Sequence, residues 1–73
     1  MKKSELRKKL KKENIPKCYY SLDGGLPNEA YCLSKVKNGW EVYYSERGLK
    51  SGLKIFASET EACNYIYNLI KDY

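Results

Sequence analysis

Seventy-three residues with a formal net charge of +5 and not one histidine make a single domain, residues 1–73, near the lower size limit for a core without staples. Eight of the fourteen Lys/Arg lie in residues 1–17, against only Glu5 and Glu13, so the positive charge belongs to one end of the chain and the rest is close to neutral. Without histidine the Ser-His-Asp, Cys-His and zinc-protease arrangements are excluded. No apolar run approaches the roughly 18–20 residues of a membrane span and the basic start leads into no signal-peptide stretch, so a cytoplasmic protein without a membrane partner is expected.

Residues 4–13, Ser-Glu-Leu-Arg-Lys-Lys-Leu-Lys-Lys-Glu, predict a first helix. Ser4 can cap it, Glu5 stands in its first turn, and Leu6 and Leu10 share a face. Asn14 suits the position past the helix, Ile15 can fold back on the last turn, and Pro16 stops propagation. Residues 1–17 thus read as a basic helix and turn that docks through Leu6, Leu10 and Ile15. Residues 18–22 are rich in strand formers, and Asp23-Gly24-Gly25-Leu26-Pro27-Asn28 is a turn cluster.

Ala30 to Glu46 reads as two strands around Asn38-Gly39. A two-residue turn that pairs Lys37 with Trp40 puts lysines on the apolar face. A three-residue loop, Lys37-Asn38-Gly39, pairs Val36 with Trp40, Ser34 with Val42 and Cys32 with Tyr44, and it segregates the faces, with Gly39 left-handed in a bulged turn. The three-residue loop is the expected one. Arg47 to Gly52 predicts a second connection, and Leu53 to Ala57 a short strand whose partner, the hairpin or the first strand, stays open. Ser58-Glu59-Thr60-Glu61 is a capping box opening a helix to about Lys71, with Ala62, Ile66, Leu69, Ile70 and Tyr73 as its buried stripe. The expected fold is α+β: an N-terminal helix, a three- to four-stranded antiparallel meander over residues 18–57, and a C-terminal helix, residues 58–73, packed on one sheet face.

Little in this pattern suggests catalysis. Cys18, Cys32 and Cys63 form no Cys-x-x-Cys and read as small buried hydrophobes in a reducing compartment. Asp23, Glu29, Glu41 and Glu46 could supply a carboxylate pair, but a shifted carboxylate needs a burying cleft, and solvated charges are the simpler reading. The glycines fit turns and no phosphate-loop spacing. No catalytic residue, cofactor or metal ligand is assigned, and a non-catalytic binding protein is expected.

Eight tyrosines and one tryptophan exceed what so small a core can hide. In the expected register Trp40 and Tyr44 face the core. Tyr31, Leu33, Tyr43 and Phe56 then stand on the open sheet face, where tyrosine offers large contact area with few rotors to freeze. With Glu46 and Arg47 of the next loop they form the candidate partner-binding surface. The alternative is a second small hydrophobic layer, covered by the N-terminal helix or by a homodimer mate.

The element order also matches a double-stranded RNA-binding domain. That module grips phosphates largely through a basic start to its last helix, and here Glu59 and Glu61 would repel the backbone. The lysines sit instead on the first helix, where Lys8, Lys9, Lys11 and Lys12 are the candidate nucleic-acid contacts; a solvated polar face is the simpler reading.

Three blocks carry a family likeness: Tyr20 to Glu29, Trp40-Glu41-Val42-Tyr43-Tyr44-Ser45-Glu46-Arg47-Gly48, and Lys54-Ile55-Phe56 with Glu61-Ala62-Cys63. Together they resemble the small immunity proteins of bacterial polymorphic toxin systems, over about residues 15–66. The resemblance implies a cytoplasmic α+β protein that binds and neutralises the toxin domain encoded beside it. It brings no functional residues to this chain. Immunity proteins against nucleases often present acidic surfaces, and this near-neutral body leaves the toxin's chemistry open.

Overall fold

Helix α1 (Lys3–Lys12) ends as its sequence asks. In the computed structural model, which describes residues 1–71, the Asn14 and Ile15 N–H groups donate to the Lys11 and Leu10 carbonyls at 3.0 and 3.1 Å, and Asn14 is left-handed, φ 59°. This is a Schellman motif, and it folds Ile15 into the core beside fully buried Leu6 and Leu10. The helix starts one residue before the expected Ser4. The Glu5 carboxylate, not the Ser4 hydroxyl, accepts the leading Lys2 N–H.

A single 3-10 turn, Lys17–Tyr19, then delivers a first strand reduced to β1 (Tyr20–Ser21). It pairs in parallel with β2 (Ala30–Val36), so the sheet is mixed and not the purely antiparallel meander expected. The eight residues 22–29 carry the chain back to the start of β2. Strand β3 (Gly39–Glu46) runs antiparallel to β2, and β4 (Leu49–Phe56) antiparallel to β3, giving the order β1-β2-β3-β4. Helix α2 (Glu59–Ile70) follows, its Ser58 hydroxyl accepting the Glu61 N–H at 3.2 Å as the capping pattern predicts. Ala62, Cys63, Ile66 and Ile70 are its buried stripe, with Leu69 packed beside them; the expected fifth member, Tyr73, lies outside the described residues.

The hairpin register differs from the expected one by a single step. Val36 pairs with Gly39, Leu33 with Val42 and Cys32 with Tyr43, so the turn residues are Lys37 and Asn38. Because side chains alternate with period two, that step exchanges the two faces of β2. The physical gain is that Leu33 and Val42, both fully buried, meet on the side that α2 covers. The cost is Lys35 on the same side, and it is small: the ammonium lies 5.8 Å from the Trp40 ring, an arrangement cations favour. Gly39 has a different duty from the one expected. A Cβ there would sit 2.3 Å from the Phe56 carbonyl oxygen, so glycine is what lets the end of β4 pass.

Strand β4 begins four residues earlier than expected and pairs with β3. Arg47 and Gly48, both with positive φ, make the whole turn, while Gly52 (φ 62°) belongs to a bulge between Val42 and Tyr44 in the β3–β4 register and not to a connection. Such a bulge absorbs one extra residue and bends an edge strand.

The middle of the sheet, β2 and β3, is covered on both sides. On the helix side Leu6, Leu10, Ile15, Leu22, Leu33, Val42 and the α2 stripe form the main core, with Tyr31, Trp40 and Phe56 packed against it. On the far side Ala30, Cys32, Tyr43 and Ser45 are buried as well, without either helix. The loop after β1 does this work: the Gly24 N–H donates to the Leu33 carbonyl at 2.9 Å, and the Tyr43 hydroxyl donates to the Gly25 carbonyl at 2.7 Å. Cys32 lies in the far-side layer and Cys63 in the main core, while Cys18 is exposed, a departure from the expectation that all three would be buried.

Candidate functional site

Of the surface expected to bind a partner, Tyr31, Leu33, Tyr43 and Phe56 do not come together on one open face. Leu33 is fully buried, Phe56 rests against Tyr65 with ring centroids 5.1 Å apart, and Tyr31 turns to the helix side. Tyr43 does lie opposite Trp40, but it is only 2% exposed, sealed by the Gly24–Asn28 loop and by Lys50, whose ammonium sits 4.6 Å from its ring. The register step and that loop are the reasons. Glu46 and Arg47 are exposed at the β3–β4 turn, the Arg47 N–H within 3.5 Å of Asn28 Oδ1.

The open surface is next to that turn. β4 is the last strand of the sheet, and its outer edge has no neighbour among the described residues. Leu49 is 71%, Ile55 62% and Leu53 42% exposed, an unusual density of apolar side chains on an edge whose backbone groups can still pair. Lys50 and Lys54 alternate with them. Lys50 reaches Glu41 at 3.2 Å and Lys54 lies 5.2 Å from the Tyr65 ring, so both stems lie against the sheet, where they can cover apolar surface.

A second feature lies on the helix side, where the last turn of α2 leaves the start of β2. Tyr19, Glu29, Tyr31, Tyr44, Asn68, Leu69 and Ile70 line an open cleft of about 650 Å³. Tyr31 and Tyr44 are cross-strand partners, their rings edge to face with centroids 5.0 Å apart. Desolvation pushes the Tyr44 phenol up, and Glu29, Glu46 and Tyr31 push it further. Sequence reasoning placed Tyr31 on the wrong side and did not join Glu29 to it; Glu29 precedes β2 in a left-handed conformation, φ 53°, so strand alternation gives no signal for it.

None of the α1 lysines is among the described residues that line the cleft. Lys8, Lys9, Lys11 and Lys12 are exposed, but Lys9 is engaged with Glu13 at 3.6 Å and lies 5.1 Å from the Tyr67 ring. On the same helix Lys3 and Arg7 hold Asp23, at 3.0 and 3.4 Å, and the Lys3 hydrogen bond and charge, then Arg7, keep that carboxyl below the usual carboxylate range. Glu59 accepts the Lys3 N–H at 2.8 Å, so one of the two carboxylates opening α2 is already committed to α1. Among the described residues no group of three Cys, Asp or Glu side chains converges to hold a metal ion.

Comparison with protein-family models, with curated proteins and with solved structures found no match to this chain.

Proposed function

We propose that the chain is a non-catalytic protein-binding module, an immunity protein that neutralises a bacterial toxin domain by accepting an extended segment of it along the edge of β4. The observation that carries this reading is the eight-residue open edge with three exposed aliphatic side chains. Strand addition to such an edge takes its affinity from main-chain hydrogen bonds and its specificity from alternate side chains. Charge favours an acidic partner: Arg47, Lys50 and Lys54 flank the aliphatic residues, and β4 has no acidic residue. A second copy fits less well, because antiparallel self-pairing about Gly52 sets Lys50 of each strand against Lys54 of the other. An inhibitory interface of typical size takes about 800 Å² from each partner, roughly a sixth of this molecule's 4808 Å², so the contact extends beyond the strand to the turn at Glu46 and Arg47. The Trp40–Gly48 string that carries the family resemblance ends in that turn.

The test is co-expression with the C-terminal domain of the toxin encoded beside this gene. Growth is expected to be restored and the two proteins to co-purify. Leu49→Lys with Ile55→Lys should weaken the complex about tenfold or more, the scale of losing an interface hot spot, while the melting point stays within the small range of surface changes. A toxin domain that remains equally lethal overturns the function. Full protection by the double variant overturns the edge.

A further inference from the structure

We infer that the tyrosine cleft beside the last turn of α2 binds a small organic ammonium ion. Three features of the cleft point to a cation, and they are independent of one another. The Tyr31 and Tyr44 rings both line the cleft and meet edge to face at 5.0 Å, and the faces of such rings attract ammonium groups. Glu29 is the only charged side chain among the described residues that line it, and both Glu29 and Glu46 act electrostatically on the Tyr44 phenol. Asn68, Leu69 and Ile70 are the last residues of α2, where the carbonyl ends carry partial negative charge, and the final turn contains no basic residue to neutralise it.

The rest of the molecule supplies the contrast. Tyr67, Trp40, Tyr43 and Tyr65 each carry a lysine ammonium of this chain, at 5.1, 5.8, 4.6 and 5.2 Å from the ring centroid. Among the described residues no lysine or arginine takes the corresponding place over Tyr31 or Tyr44. Lys71, which follows the lining residue Ile70, lies 5.9 Å from the Tyr67 ring, and Lys35 lies over Trp40. A cleft of about 650 Å³ is within the usual range for small-molecule sites, and it is far larger than a bare metal ion needs. The same groups disfavour an anion, and what separates a cation from a neutral ligand here is the Glu29 charge and the helix end.

Choline and its neutral isostere 3,3-dimethylbutan-1-ol separate charge recognition from simple apolar filling, because they share shape and differ in charge. The ring proton signals of Tyr31 and Tyr44 are followed by NMR while each is added to the full-length chain at low salt. Choline is expected to shift them saturably, with its methyl protons moving upfield, and the isostere to bind at least about tenfold more weakly, the scale of a desolvated cation–π contact. Glu29→Gln should weaken choline about three- to tenfold with an unchanged melting point, since Glu29 is exposed and the change removes charge alone. Equal binding of choline and the isostere, an absence of saturable shifts, or a Glu29→Gln protein that binds choline as well as the parent overturns the site. Because neither β4 nor a toxin enters this experiment, its failure leaves the proposed function standing.

Discussion

The two faces of the sheet are closed by different means. The helix side is buried by long apolar side chains from three directions, α1, α2 and the sheet itself, with hydrogen bonds from Lys3 to Glu59 and from Tyr67 to Glu13 only at its rim, between the two helices. The far side is buried by one tyrosine and one loop, and its closure depends on a 2.7 Å bond from the Tyr43 hydroxyl to the Gly25 carbonyl. Apolar area is non-directional and tolerant of small shifts, whereas a hydroxyl must find its acceptor at a given distance and angle. The helix side should therefore set the stability of the domain and the far side its uniqueness.

Truncation on the helix side gives the largest effect. Leu33→Ala removes a fully buried side chain from the centre of the main core and should cost about 3–4 kcal/mol. A domain of this size holds only about 3–5 kcal/mol in total, so urea unfolding should find it at the edge of collapse. A cooperative transition near the parental midpoint would move the core off β2.

Tyr43→Ala probes the other face and should cost about 3 kcal/mol, whereas an exposed tyrosine would cost almost nothing. Tyr43→Phe isolates the hydroxyl and should lose about 1 kcal/mol, with amide exchange rising first in the Gly24–Asn28 loop. The same residue gives an alkaline signature. Burial, then Cys32 and Glu41, pushes its phenol from 10.0 up to about 12, so the folded state holds the proton that the unfolded state releases. Stability from this source is complete below pH 10 and is lost as pH rises towards 12. Tyr43→Phe should remove that decline, and an identical decline in both proteins would contradict the sealed face.

Gly39→Ala tests the corner that both faces share. Its Cβ would meet the Phe56 carbonyl at 2.3 Å, so β3 and β4 must part, at a cost of about 1–3 kcal/mol. A midpoint equal to the parent's would mean that the strands are not so close. The smallest effect has the opposite sign. Ser45 is fully buried and its hydroxyl has no hydrogen-bond partner among the described residues, so Ser45→Ala should stabilise by about 0.5–1 kcal/mol. A loss on that substitution would show that the hydroxyl is satisfied.

Local chemistry was legible in the sequence wherever it is self-contained. The Asn14–Ile15 helix stop, the Ser58 cap and the described part of the α2 stripe (Ala62, Ile66, Leu69 and Ile70) each depend on residues within four positions, and each is found where the pattern places it. Register was not legible, because it is decided by which pair of strands buries the larger side chains, and Asn38-Gly39 looks like a turn in several registers. Keeping lysines off the apolar face misled for a physical reason: Lys35 stands on the core side near the end of β2 yet stays exposed, its ammonium beside the Trp40 ring. The parallel β1 is only two residues long, too short for any periodicity. The cleft escaped notice because its rings come from the 3-10 turn, β2 and β3 and its floor from α2, so no stretch of sequence holds it. The β4 edge was half visible, since Leu53 and Ile55 fall within the short strand the sequence predicts, which omits Leu49.

The placement of the thiols turns the molecule into its own stopwatch. Cys63 sits in the core under the helices and Cys32 in the layer behind the sheet, so the two cannot bridge, and burial raises both thiols above their ordinary value. Each becomes reactive only when its own layer opens. After exposed Cys18 has been capped with an alkylating reagent, the modification times of the other two record how often each side breathes. A single mass-spectrometric time course then separates local opening of the loop from global unfolding, with no foreign label introduced.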